Sequence, residues 1–304
     1  MKKKNKNNLI FLSIILSLIV VLIAAIAFSN FQELSTDNIA IIPIKGEISL
    51  YDSSGFFSSE GVSAETTLNR INKAKKDPTV KAIILEINSQ GGTVVATKEI
   101  ADALKELDKP VVSWIREIGA SGGYWIASTS DIIVADPASI TGSIGVVGAY
   151  LQFSELFEKY GINYERIVSG KYKDLGSPYK ELTPEEEEVL LSKMNSIHTM
   201  FIEEIKNNRE LNSEAIDKIS TAEWFLGIEA KDLGLVDVLG SKKEAVFYAR
   251  KLANISSSEL IKYTKEKSFF QKLASVLSQS SYFVGKGIGD SIISVKNNEA
   301  LLVN

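Results

Sequence analysis

From Ala64 to Val168 the chain alternates segments of helical periodicity with short apolar runs, and this alternation restricts the fold more than any other feature. Ala64–Lys76 reads as a helix, Val80–Ile87 as a buried strand, Val94–Leu107 as a helix and Pro110–Ile115 as a strand. Two more pairs follow: a helix over Ser121–Thr129 with a strand over Asp131–Ala135, then a helix over Phe153–Tyr160 with a strand over Ile162–Val168. A helical crossover returns the chain to the same end of the sheet, so strands joined this way pair in parallel and the spacing predicts a layered α/β domain.

The same reading extends in both directions. Strand-like material begins at Asn38–Ile44, and a helix over Gly227–Leu233, a strand over Leu235–Val238 and a helix over Lys242–Leu252 close a domain spanning 38–255. Thr183-Pro184-Glu185-Glu186 is a strong helix start, with a capping hydroxyl, proline at the first helical position and acids near the positive end of the dipole. That helix should run to Asn208, with Glu185–Glu188 as its solvated first turn. Residues 256–304 form an amphipathic or flexible tail in which Phe269, Phe270, Leu273, Val276 and Leu277 mark an apolar stripe.

The amino-terminal end has a different character. Lys2, Lys3, Lys4 and Lys6 precede a run from Leu9 to Phe28 whose only polar members are Ser13 and Ser17. A helix of that length covers about 30 Å, the thickness of a bilayer core. The expected organisation is a cytoplasmic basic segment at 1–8, a single-pass transmembrane signal anchor at 9–28 and a polar tether at 29–37. Retention of the lysines inside places the folded domain on the extracytoplasmic side of the membrane. Ala25-Ile26-Ala27 also resembles the small-residue site of a cleaved secretory signal, so removal of the segment stays open.

Composition narrows the chemistry. The chain has no cysteine, which excludes thiolate metal sites and cysteine nucleophiles, and a single histidine, His198, which excludes multi-histidine metal centres. His198 falls among apolar neighbours inside the 183–208 helix and reads as a packing or surface residue. A net charge of −4 gives no global argument for nucleic-acid binding. Neither a dinucleotide fingerprint nor a phosphate loop occurs at the glycine turns, so no nucleotide, metal or other cofactor is expected.

Two of those turns stand where an α/β fold places its chemistry, at the carboxyl ends of strands. Asn88-Ser89-Gln90-Gly91-Gly92 follows the first buried strand, and paired glycines there can leave amides facing an oxyanion. Gly119-Ala120-Ser121-Gly122-Gly123 follows the second and opens the apolar helix beginning Tyr124-Trp125. Ser121 at a helix start is ordinarily a cap; a nucleophile is the alternative that these residues alone leave open.

The order of five segments resembles the signal peptide peptidase A family, serine–lysine endopeptidases of the Clp protease/crotonase superfamily. They are Asn88–Gly92, Ala120–Ile126, Thr141-Gly142-Ser143-Ile144-Gly145-Val146, Ser169-Gly170-Lys171-Tyr172-Lys173-Asp174, and Ala230–Gly240. The resemblance covers about residues 38–252 and looks like the short form with one such domain per chain. It implies a layered fold of repeated ββα units, with Ser121 as nucleophile and Lys173 as general base. It further implies that Ser143 orients the lysine, that the Gly91 and Gly122 amides form the oxyanion hole, and that Gly92 and Gly123 support the turns. Lys171 is the nearby rival for the base. The family's usual N-S-P-G-G reads Asn88-Ser89-Gln90-Gly91-Gly92 here, and loss of the proline loosens that turn.

A lysine base must be neutral at working pH, about 3 units below its solution value, which burial supplies when no carboxylate stabilises the ammonium. Asp174 should therefore point away from Lys173. The implied substrates are hydrophobic peptides, chiefly cleaved signal peptides in the membrane, and the implied assembly is a ring-like homo-oligomer in which Lys173 completes a neighbour's site. Two other activities fit the same superfamily: a serine–lysine protease cutting one membrane protein, and a crotonase-like acyl-CoA enzyme. The second needs no serine–lysine pair.

Overall fold

The computed structural model describes residues 15–21, 37–52 and 61–263. Its centre is a sheet of nine strands: β1 (Asn38–Ser49), β2 (Val62–Ser63), β3 (Val80–Gly92), β4 (Val111–Ala120), β5 (Ile132–Ala135), β6 (Ile140–Gly142), β7 (Trp224–Leu226), β8 (Val238–Leu239) and β9 (Glu259–Lys262). The order is β2-β1-β3-β4-β5-β8, with β9 beside β1 and β6 leading from β4 to β7. Every pairing among the described residues is parallel except β6 with β7. The architecture is the α/β layering that the strand–helix alternation predicts.

Alternate residues of the central strands serve two separate cores, as the two-residue repeat of a strand requires. Ala40, Ile42 and Ile44 of β1 and Ile83, Leu85 and Ile87 of β3 face one side. There they meet Ile71 and Ala74 of α1 (Ala64–Lys76), Ile100 and Leu104 of α2 (Val94–Lys105), and Tyr124 and Trp125 of α3 (Gly122–Ser128). Ile39, Ile41, Ala82, Ile84 and Val112 face the other side, against Ala245 and Ala249 of α8 (Lys242–Ala253). With both faces covered, the strands read as continuous apolar runs rather than alternating ones.

Between β6 and β7 the chain passes through α4 (Ser154–Lys159), α5 (Pro184–Asn208) and α6 (Ser213–Ile219), and α7 (Gly227–Asp232) follows β7. α5 starts where the capping signal predicts: the Thr183 hydroxyl accepts from the Glu186 amide and the Glu186 carboxylate accepts from the Thr183 amide. The strand expected at Ile162–Val168 does not form. Residues 162–168 have no regular structure, are all exposed, and follow a helix without a buried residue. A strand needs a neighbour's free backbone edge, and none of the strands among the described residues pairs with this segment.

The sheet also extends past the expected domain end. β9 pairs with Asn38–Ile41 of β1, so residues 259–262 of the expected tail form a strand. Residues 264–304, including the Phe269–Leu277 stripe, lie outside the described residues, as do most of the 9–28 run, the basic segment and the tether up to residue 36. Residues 15–21 are helical. No helix among the described residues is long and apolar enough to cross a membrane.

Candidate active site

Three parallel strands deliver the site from their carboxyl ends: β3 brings Gly91 and Gly92, β4 brings Ser121, and β6 brings Ser143. Ser121 lies in the sharp turn between β4 and α3 with φ 50° and ψ −124°, a positive-φ conformation that costs a non-glycine residue about 1 kcal/mol or more. Its amide is tied to the Gly142 carbonyl at 2.8 Å, which fixes the β4 turn against the end of β6. Although Ser121 occupies the cap position of α3, its hydroxyl makes no capping hydrogen bond. The usual structural use of serine at a helix start is therefore not made here, and the hydroxyl is left for other chemistry.

Gly91 (φ +103°) stands against this serine. A Cβ on Gly91 would lie 2.8 Å from the Gly122 nitrogen and 3.1 Å from Ser121 Oγ, so any side chain would fill the space beside the Ser121 hydroxyl. The Gly122 amide, at the first position of α3, has no acceptor within the helix and is available to a developing oxyanion. The Gly91 amide is engaged: it donates to Ser89 Oγ at 3.1 Å, and that buried hydroxyl donates in turn to the Gly46 carbonyl at 2.5 Å. Gly92 and Gly123 meet neighbouring backbone so closely, at Ile48 and Ser89, that neither could carry a side chain.

Ser143 is half-buried at φ 51°, and its amide donates to the Glu223 carbonyl at 2.8 Å. The next residue is held from α5, where His198 Nε2–H donates to the Ile144 carbonyl at 3.0 Å. His198 thus has the packing role that its setting predicts.

Lys173 is in a different place. It lies in the turn that follows residues 161–170, is exposed within the single chain, and does not line the cleft beside Ser121. Asp174 does not hold it. The Asp174 carboxylate takes a bidentate pair from Arg166, at 2.5 Å to Nε and 2.8 Å to Nη2, and the Arg166 guanidinium depresses its pKa to about 2. The rival Lys171 is paired with Glu185, whose carboxylate raises the lysine pKa and keeps the ammonium charged, the opposite of what a base requires.

Ser121 opens onto a cleft of about 500 Å³. Its apolar wall comes from Val94 of α2, Trp125 of α3, Val146 and Val147 after β6, and Phe201 of α5. Trp125 and Phe201 are stacked, with ring centroids 4.5 Å apart and planes inclined by 19°. The sequence reading identifies Trp125 only as part of a helix and does not find Phe201 at all. Phe201 is separated from the serine by some eighty residues, and an aromatic residue on an amphipathic helix has no local mark that distinguishes a cleft wall from core.

Residues 103–256 match the model of peptidase family S49. "Putative protease MJ0651" of Methanocaldococcus jannaschii is 33% identical over 97% of this chain and 97% of its own length. The chain belongs to peptidase family S49, the signal peptide peptidase A family. Members of this S49 family are serine proteases. Protease 4 of Haemophilus influenzae is 29% identical over 84% of this chain, which spans 42% of that longer relative. The fold is similar to that of a solved 1510-N membrane-bound stomatin-specific protease, with TM-score 0.50 and 16% identity over 76% of this chain and 99% of that one.

Proposed function

We propose that this S49 serine protease is a membrane-anchored endopeptidase that degrades hydrophobic peptides, chiefly signal peptides left in the bilayer, through a Ser121/Lys173 dyad. The observation that carries the reading is the uncommitted Ser121 hydroxyl, held in a strained turn beside the free Gly122 amide and facing an apolar cleft. Ser121 Oγ attacks the substrate carbonyl while its proton passes to the neutral Lys173 amine. The Gly122 amide, joined by Gly91 as substrate draws that amide from Ser89, receives the oxyanion. The protonated lysine then donates to the leaving nitrogen, and water, deprotonated by the same amine, releases the acyl group. Ser143 orients the amine.

Lys173 is exposed in the single chain and away from Ser121, so the dyad proposed here relies on assembly to bring the two together. In this reading the chain forms a ring-like homo-oligomer, and Lys173 of each subunit is buried against the site of its neighbour. The apolar run at 9–28 anchors the ring with its domains outside the cytoplasm and concentrates it with substrates in the same bilayer.

The test is cleavage of a hydrophobic peptide across pH by the wild type, Ser121→Ala and Lys173→Ala. Both variants should lose activity by about 10³-fold or more. An equimolar mixture of the two should regain part of it, because mixed rings contain some sites with both groups intact. Full activity of Lys173→Ala alone would refute the dyad.

A further inference from the structure

The cleft beside Ser121 carries one ionisable side chain among its described lining residues, Glu47. Glu47 lies near the end of β1, opposite Gly91 in the β1–β3 register. The register shifts between Lys45 and Glu47, where Gly46 takes φ 75°. Such an irregularity re-aims the side chain that follows it. The contrast with the preceding lysine is direct. Lys45 pairs with Glu86 at 2.9 Å, whereas Glu47 is exposed and has no hydrogen-bond or ion-pair partner among the described residues. The sheet interior thus has its carboxylate matched by cations, while the carboxylate in the cleft is left unmatched.

We infer that Glu47 is a specificity-determining residue, whose carboxylate selects peptide substrates bearing an organic cation, a lysine or arginine side chain or a free α-amino group, beside the apolar residue held in the cleft. The inference rests on Ser121 as the nucleophile. The apolar residues on the other walls of the cleft exclude water once a peptide is bound, which strengthens the attraction between the exposed Glu47 and a cation held beside it. The charge also acts on the reaction itself. An unpaired carboxylate in the same cleft opposes negative charge developing on the substrate oxygen, and a cation that neutralises it relieves that repulsion. The preference should therefore be visible in kcat as well as in KM.

The experiment uses the full chain in detergent with N-acetylated peptides sharing one apolar core, in which Lys, Gln or Glu is scanned through the positions flanking the cleavage site. A parallel set with a free amino terminus separates side-chain recognition from amine recognition. At one flanking position, or at the free amino terminus, the wild type should favour the cationic peptide over the Gln reference by about five-fold or more in kcat/KM. Glu47→Gln should bring that ratio to near one, and Glu47→Lys should turn it toward the Glu peptide. Each ratio is taken within one preparation, so a partly misfolded variant does not distort it. As a check independent of any variant, the wild-type preference should shrink at high salt. A wild type indifferent to the cation at every position, or a ratio that persists in both variants, would overturn the inference. Wild-type cleavage of the neutral peptide that disappears in Ser121→Ala would keep the protease reading intact even if the charge preference fails.

Discussion

At the scale of single residues, the site depends on what is missing from one of them. Gly91 has no side chain where a Cβ would sit 2.8 Å from the Gly122 nitrogen and 3.1 Å from Ser121 Oγ. Gly91→Ala is accordingly expected to place a methyl group where the oxyanion forms in the proposed mechanism, and its positive φ adds backbone strain. The outcome should be a loss of kcat of about 10²- to 10³-fold, comparable to removal of an oxyanion donor, with a much smaller effect on KM. Steady-state kinetics on a hydrophobic peptide, with thermal unfolding as the control for folding, measures it. A fall in melting temperature large enough to explain the activity loss would count against the local explanation. Ser121 itself was ambiguous in the sequence because a cap and a nucleophile share the same position. The unused hydroxyl removes the capping reading and is consistent with the proposed nucleophile, and only coordinates record a hydrogen bond that is not made.

At the scale of elements, Glu86 ties the sheet together on the face beside α8. Its carboxylate, on β3, meets Lys45 of β1 at 2.9 Å, Arg116 of β4 at 2.9 Å and Lys262 of β9 at 3.3 Å. Burial by itself would raise the Glu86 pKa, but hydrogen bonds and charge from Lys45 and Lys262 outweigh it and hold the pKa below the ordinary glutamate value. A carboxylate whose folded pKa is depressed contributes stability that is full above its unfolded pKa and declines as pH falls through the folded value. Urea unfolding at pH 7 and near pH 3 should therefore show the wild type losing more stability on acidification than Glu86→Gln. Equal losses would mean that the cluster contributes nothing to the pH dependence. The strong helix and strand signals of β1, β3, β4, α1, α2 and α5 were legible in the sequence because burial on both faces, or a capping hydroxyl, imposes a local pattern. β6, β7 and β9 were not legible, since three or four residues with no periodicity become strands only when a neighbour offers them an edge.

At the scale of the whole molecule, the segment from Val147 to Tyr179 leaves many apolar side chains uncovered among the described residues. Ile167 is 97% exposed, Val147 89% and Leu151 73%, and Tyr160, Ile162 and Tyr164 are exposed with them. Exposed apolar side chains concentrated in one stretch are what the proposed contact between subunits would cover. Lys173 lies on the same segment, so burial of this surface against a second copy is the step proposed to bring the amine out of solvent. Ile167→Asp is expected to shift the protein toward smaller species in sedimentation and to reduce peptide cleavage in parallel, while the melting temperature of the domain changes little. A smaller species with undiminished activity would show that one chain suffices.

The sequence by itself determined the layered α/β class, the positions of the main helices, and the glycine turns that end β3 and β4, because each of these follows from local periodicity or from the torsions that a glycine permits. It also carried the motif order that led to the family, and with it the expected roles of Ser121, Ser143 and Lys173. Tertiary structure alone decided that the Ser121 hydroxyl is spared from capping, that the Gly91 amide is shared with Ser89, and that Phe201 and Glu47 reach the cleft. Those outcomes depend on contacts between residues far apart in the chain, and no local pattern records which distant side chain will fill the space beside a given backbone atom.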